Sequence, residues 1–165
     1  MNRVLVVDQA TINTAYNIFE LRDGKPSWLC CSMLKLDGKD AIDRMKQLYE
    51  FLGNLIDEYE IDTVVFEEVP VSRKTNLNTT VVLLKLLGIM ELLSRQKQLT
   101  TYIMNVNYWK TKAGIKSRTR QSQKLESIEL ACKRWSAYKS IIAKSDDVAD
   151  SLNMGYAFLK DQKII

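Results

Sequence analysis

Three short acidic clusters stand where apolar runs begin or end, and their residue types suit one chemistry. Val4-Leu5-Val6-Val7 leads into Asp8, Val64-Val65-Phe66 leads into Glu67-Glu68, and Asp146-Asp147-Val148-Ala149-Asp150 opens a stretch near the end of the chain. Carboxylates are hard oxygen donors. Several of them converging on one point suit a divalent cation such as Mg²⁺, with water and phosphate completing the shell, the arrangement used for phosphate chemistry. Two of the clusters also have a plainer explanation. Asp8 could start a turn by bonding its own backbone, and acids in the first turn of a helix favour its dipole. The dipole accounts for Asp146 and Asp147 better than for Asp150, which stands a turn further in among apolar neighbours.

Absent residues narrow the choice further. The chain has no histidine, which removes Ser-His-Asp and Cys-His catalysis and every histidine-dependent zinc site. Its 3 cysteines show no CxxC spacing, and Cys30 and Cys31 are adjacent, so reduced thiols and a cytoplasmic setting are expected. With 165 residues, 46% hydrophobic and 27% charged, and only 6 Gly and 2 Pro, one domain over 1–165 without a linker is expected. The net charge of +4 is uneven: residues 107–144 hold ten basic side chains against two acids, a local +8 that leaves −4 elsewhere. Such asymmetry suggests an anionic polymer as partner, the alternative being a solvated basic face. The longest apolar stretch, from Val81 to Leu93, is interrupted by Lys85 and reads as too short to span a bilayer, so no membrane contact is expected.

The elements that would position the acids follow from periodicity. A continuous apolar run as short as Val4 to Val7 reads as a strand buried on both faces, and ligands of open α/β sheets bind outside the carboxyl ends of such strands. Ala15 to Leu21 and Trp28 to Leu34, joined by Asp23-Gly24-Lys25-Pro26, extend it into an antiparallel meander. Ile42, Met45, Leu48, Leu52, Leu55, Ile56 and Tyr59 recur every three or four residues, the stripe of a helix from Ala41 to Tyr59 capped by Asp40. A right-handed crossover through that helix allows the strand ending at Glu67 to lie parallel to the first. Asp8 and Glu67-Glu68 would then leave the same sheet edge. Asn78 or Thr79 would cap a second helix, apolar nearly all round through Leu93. Such a helix is covered either wholly by its own domain or by the sheet on one side and a second copy on the other. Thr100 to Val106 reads as a fifth strand, Arg118 to Trp135 as a helix, and Ser145 to Leu159 as the last helix. There Asp147 and Asp150, three apart, share a face from which Asp146 is turned away.

In order and spacing, Val7-Asp8, Phe66-Glu67-Glu68-Val69 and Asp147-Val148-Ala149-Asp150-Ser151-Leu152 resemble the ribonuclease H-like superfamily. Within it the chain resembles the RuvC type of Holliday junction resolvase, of a phage or other viral kind, and Asp146 to Asp150 also looks like poxviral resolvases. The resemblance implies an α/β fold, a ribonuclease H-like mixed five-stranded sheet flanked by helices. It implies Asp8, Glu67, Asp147 and Asp150 as catalytic metal ligands for two Mg²⁺, with Mn²⁺ as substitute and no nucleotide cofactor. The activity implied is that of a crossover junction endodeoxyribonuclease, which cuts branched DNA, chiefly four-way junctions, by paired nicks leaving 5′-phosphate and 3′-hydroxyl ends. For a phage-encoded protein the setting would be the host cytoplasm. Two matched nicks call for two sites related by a two-fold axis, so a homodimer built on the helix at 81–93 is expected.

Arg73, Lys74, Lys110, Lys112, Lys116, Arg118 and Arg120 are the expected contacts to the DNA backbone. Of Glu67 and Glu68, neighbours on a strand that leave on opposite faces, the resemblance selects Glu67. Two departures from the family stand out: Ala10 where a glycine follows the first Asp, and no aromatic wedge in Val69-Pro70-Val71-Ser72-Arg73-Lys74. The alternative function is a junction-binding module that does not cleave. Actin-like ATPases and sugar kinases also place an Asp at the end of a first strand, but they need glycine-rich phosphate loops that Asp8-Gln9-Ala10-Thr11 does not provide.

Overall fold

The computed structural model describes residues 1–70 and 76–165; Arg73 and Lys74 lie outside the described residues. Strands β1 (Arg3–Asp8), β2 (Asn13–Arg22), β3 (Lys25–Lys35), β4 (Thr63–Glu67) and β5 (Thr100–Met104) form one mixed sheet in the order β3-β2-β1-β4-β5. The β1-β2 and β2-β3 pairs are antiparallel, β1-β4 and β4-β5 parallel. The sheet is the α/β arrangement expected. The β2-β3 turn carries Asp23 and Gly24 at φ 50° and 72°, the left-handed pair that a two-residue hairpin requires.

The apolar runs of β1 and β4 are explained by helices on both faces. Leu5, Val7, Val64 and Phe66 face α1 (Ala41–Glu58) and α2 (Leu77–Gln96), whereas Val4, Val6 and Val65 face α3 (Val106–Ala113) and the final helix α6 (Asp146–Asp161). Between them run α4 (Arg120–Arg134), a 3-10 turn (Ser136–Tyr138) and α5 (Lys139–Ile142), which close the far end of the second face. Cys30 packs with the first cluster and Cys31 with a core on the other face, as strand alternation requires.

Several boundaries differ from the sequence reading. In α1 the Asp40 carboxylate accepts from the Ile42 and Asp43 amides, but Ile42 itself is 64% exposed, because core contact begins one turn later at Met45. The fifth strand stops at Met104, since Asn105 accepts from the Asn107 and Tyr108 amides and so starts α3, a helix the periodicity did not reveal. Asn76, not Asn78 or Thr79, caps α2. At 20 residues α2 is also long and apolar enough, by length and composition, to cross a membrane, unlike the shorter stretch read from sequence. Here its Leu86, Leu87, Met90 and Leu93 are committed to the core. Among the described residues, Leu77, Val81, Leu84 and Leu92 on the other side are exposed.

Helix α6 sits unusually close to the sheet. A Cβ at Gly155 would lie 2.3 Å from a ring carbon of Phe19 and 3.2 Å from the Asn17 amide oxygen. Glycine at this position brings the start of α6 over the ends of β1 and β4.

Candidate active site

The parallel β1-β4 register pairs Val7 with Phe66, so Asp8 and Glu67 leave neighbouring strand ends one residue later. Parity sets their direction. Val6 and Val65 face α6, hence Asp8 and Glu67, two residues on, face the same way. Gln9 ties the two ends together: its amide donates to the Glu67 carbonyl and accepts from the Glu67 amide at 3.2 Å. The buried Trp109 indole donates to Glu67 Oε1 at 2.8 Å. Glu68 is exposed on the opposite parity and accepts from Asn105 Nδ2 at 2.6 Å.

Helix α6 supplies the remaining acids. Ser145 caps it by accepting from the Val148 amide, and Asp147 and Asp150 project into the same space as Asp8 and Glu67. Together the four line a cavity of about 230 Å³. Asp146 lines it too and pairs with Lys124, which corrects the expectation that it is turned away. At the first residue of the helix, before the packed face is established, a side chain can swing inward toward a cation. Asp150 accepts from the buried hydroxyl of Ser127 on α4.

Burial is the main force on all four acids, and it raises their proton affinity. Asp8 is pushed well above the ordinary carboxylate range by burial, then by the charges of Glu67, Asp150 and Asp147, with Lys110 opposing. Glu67 is raised by burial, offset by the Trp109 hydrogen bond and Lys110. Asp150 is raised by burial and eased by Ser127 and Lys110; Asp147 is raised by burial and Asp146 and eased by Lys124 and Arg120. Carboxylates that repel one another while partly withdrawn from water favour a bound cation. The donor set, all hard oxygen, fits Mg²⁺ or Mn²⁺ in type. Among the described residues no three of the acids are drawn into a ready-made ion cage; they surround the cavity instead.

The expected basic contacts divide. Lys110 and Arg120 line the acidic cavity, joined by Lys124, which was not among them. Lys112 lies near Asp161 and the Tyr108 ring, away from the cavity. Lys116 and Arg118 are exposed in the segment before α4 without lining it. Sequence reasoning missed Gln9, Trp109 and Ser127. A neutral donor leaves no mark in composition or periodicity, and only the known position of its carboxylate could have pointed to it.

No protein-family model and no curated protein matches the sequence. Solved structures do match. The chain superposes on Thermus thermophilus RuvC in complex with a Holliday junction substrate with a TM-score of 0.69 and 14% identity, covering 97% of this chain and 96% of that one. For the fowlpox virus resolvase in complex with Holliday junction DNA the TM-score is 0.70 and the identity 17%, covering 97% and 98%. The yeast mitochondrial Holliday junction resolvase gives a TM-score of 0.50 at 16% identity, covering 98% and 83%. Likeness at such identities is a likeness of architecture, and the chain has the RuvC-type, ribonuclease H-like fold.

Proposed function

We propose that the protein is a metal-dependent endonuclease that resolves branched DNA, chiefly four-way junctions, by paired nicks leaving 5′-phosphate and 3′-hydroxyl ends. The observation that carries this reading is the single cavity in which Asp8, Glu67, Asp147 and Asp150 meet, rimmed by Lys110, Arg120 and Lys124. Acids alone would repel a phosphate; cations at their border draw one in. The fold shared with resolvases bound to Holliday junctions favours the same substrate. The four carboxylates would hold two Mg²⁺, or Mn²⁺ in their place, which supply Lewis-acid stabilisation of the phosphate and a more acidic water. Trp109 holds Glu67 and Ser127 holds Asp150 in fixed orientations. Lys110 and Arg120 neutralise and position the phosphate without reading sequence.

Paired nicks require paired sites, and α2 offers a second copy a surface. Leu84 and Leu92 stand exposed either side of Gly88, where a Cβ would meet nothing within 4 Å. A mid-helix glycine costs roughly 1 kcal/mol against alanine, and nothing inside the domain requires it. In an antiparallel pair of α2 helices crossing at Gly88, Leu84 meets Leu92, and Lys85 of one copy faces Glu91 of the other. Leucine contact, close approach and opposite charge agree.

The test is cleavage and binding of a synthetic four-way junction by two variants. Glu67→Gln should bind the junction at least as well as wild type, a negative charge near phosphate having been removed, and cut almost nothing in Mg²⁺. Glu68→Gln, on the opposite strand face, should retain most activity. A wild type that binds junctions with Mg²⁺ present yet never nicks them would instead support a non-cleaving junction-binding module.

A further inference from the structure

Behind Asp150 lies a polar seam in an otherwise apolar helix interface. The Ser127 hydroxyl donates to Asp150 Oδ1 and accepts from Asn153 Nδ2 at 2.9 Å, while the same amide reaches the Ser127 carbonyl at 2.8 Å. The Asn153 amide oxygen accepts from Arg134, whose other terminal nitrogen donates to the Ala113 carbonyl. The Arg134 guanidinium lies 3.9 Å from the centre of the Tyr156 ring. Ser127 and Asn153 are both 0% exposed. Ser127 and Arg134 are two turns apart on α4, Asp150 and Asn153 one turn apart on α6, so the four residues share one contact line between the helices.

The donors all run one way, from guanidinium to amide to hydroxyl to carboxylate. A buried polar chain of this kind adds little net stability over well-packed apolar residues. Its order has a different consequence. The serine's single proton goes to the Asp150 carboxylate because its other side-chain partner, the Asn153 amide nitrogen, can only donate, and Asn153 cannot flip because Arg134 needs its oxygen and Ser127 its nitrogen. One carboxylate oxygen of Asp150 is thereby fixed and the other is left for the cavity that Asp150 lines.

We infer that Ser127, supported by Asn153 and Arg134, is a positioning residue that presets Asp150 for the divalent metal. This rests on the nuclease reading only in assigning that metal to the cavity. Donors behind a metal-ligating carboxylate typically change metal affinity by about 10- to 100-fold when removed.

The experiment titrates Mn²⁺ into the 165-residue protein without DNA, followed by the electron paramagnetic resonance of the free ion. The same proteins are melted in EDTA and assayed for junction cleavage against Mg²⁺ concentration. Ser127→Ala should bind Mn²⁺ about tenfold more weakly and need about tenfold more Mg²⁺ for half-maximal cleavage, with junction affinity unchanged and the rate recovered at high Mg²⁺. Ser127→Thr should restore the affinity. Asn153→Ala, which keeps the hydroxyl and removes its support, should shift Mn²⁺ binding the same way, so the inference stays decidable if the extra methyl of threonine is not tolerated. Unchanged Mn²⁺ affinity in Ser127→Ala and Asn153→Ala, with lower melting temperatures, would overturn it and leave the seam purely structural. A wild type that binds Mn²⁺ but cuts no junction defeats the nuclease reading while the titration still decides the role of Ser127. A wild type that binds no Mn²⁺ defeats both.

Discussion

Asp8 is opposed by its own surroundings: burial and three neighbouring carboxylates raise its proton affinity, and Lys110 is the cation that opposes them. Because its folded value is raised, the native state holds more protons than the unfolded chain at pH values above the ordinary carboxylate range. Stability from this group is present at low pH and is lost as pH rises through the raised value. Glu20, Asp62 and Glu126, which are lowered by hydrogen bonds and ion pairs, act in the opposite sense, so total stability against pH mixes the two. A comparison with Asp8→Asn separates them. In EDTA the variant should melt above wild type, by a margin that widens as pH rises from roughly 4; adding Mg²⁺ should narrow or reverse that margin, because the variant has lost a ligand. Melting curves in which the margin stays constant with pH would mean that Asp8 is not strained. The three acidic clusters stood out in the sequence because a carboxylate at a strand end or in an early helical turn is a chemical signal, and the family resemblance then singled out four of their acids. Gln9, Trp109 and Ser127 did not stand out, since their importance lies wholly in which atom they touch.

At the scale of elements, strand alternation carried furthest. The unbroken apolar runs of β1 and β4 implied burial on both faces, and alternation put Glu67 and Glu68 on opposite faces; the resemblance chose Glu67, and the structure has it on the α6 side. Side-chain period 2 makes that inference insensitive to errors of a residue or so in strand length. The helix α3 was harder to see: its eight residues bury only Trp109 and Ala113, too few for a stripe. Nor could pattern predict how low α6 would sit. That depth depends on one residue, Gly155, against a Phe19 ring held by stacking on Trp28 at 5.3 Å. Gly155→Ala should therefore lift the start of α6 and cost about 1–3 kcal/mol as overpacking, seen as a lower melting temperature. Because Asp147 and Asp150 ride on the same helix, Mg²⁺ should raise the variant's melting point less than wild type's. Equal Mg²⁺ shifts in both proteins would mean that the helix tolerates the methyl without moving the acids.

At the scale of the whole molecule, charge and the exposed side of α2 are the features through which the proposed function would meet branched DNA. Lys110 and Arg120 at the cavity should each contribute about 0.9 to the slope of log affinity against log salt; Lys112, beside Asp161, should contribute little. Alanine variants titrated with a junction across a salt series test this, and equal slopes in all three would place the DNA elsewhere. The second feature is the one the sequence left open between a wholly covered core helix and a shared one. The exposed leucines on the outer side of α2 are what the proposed assembly would cover with a second copy. Leu86 and Met90 are each 1% exposed, so a charge at either unfolds the domain and says nothing about association. Leu84 and Leu92 are 46% and 55% exposed and test it cleanly. Leu84→Glu should fold normally, sediment as a monomer where wild type is a dimer, and convert paired cuts into single nicks. Lys85→Glu should weaken the proposed dimer and Lys85→Glu with Glu91→Lys should restore it, since an antiparallel pair of α2 helices crossing at Gly88 would bring the two positions together. A wild type that sediments as a monomer while making paired cuts at full rate would rule out this assembly.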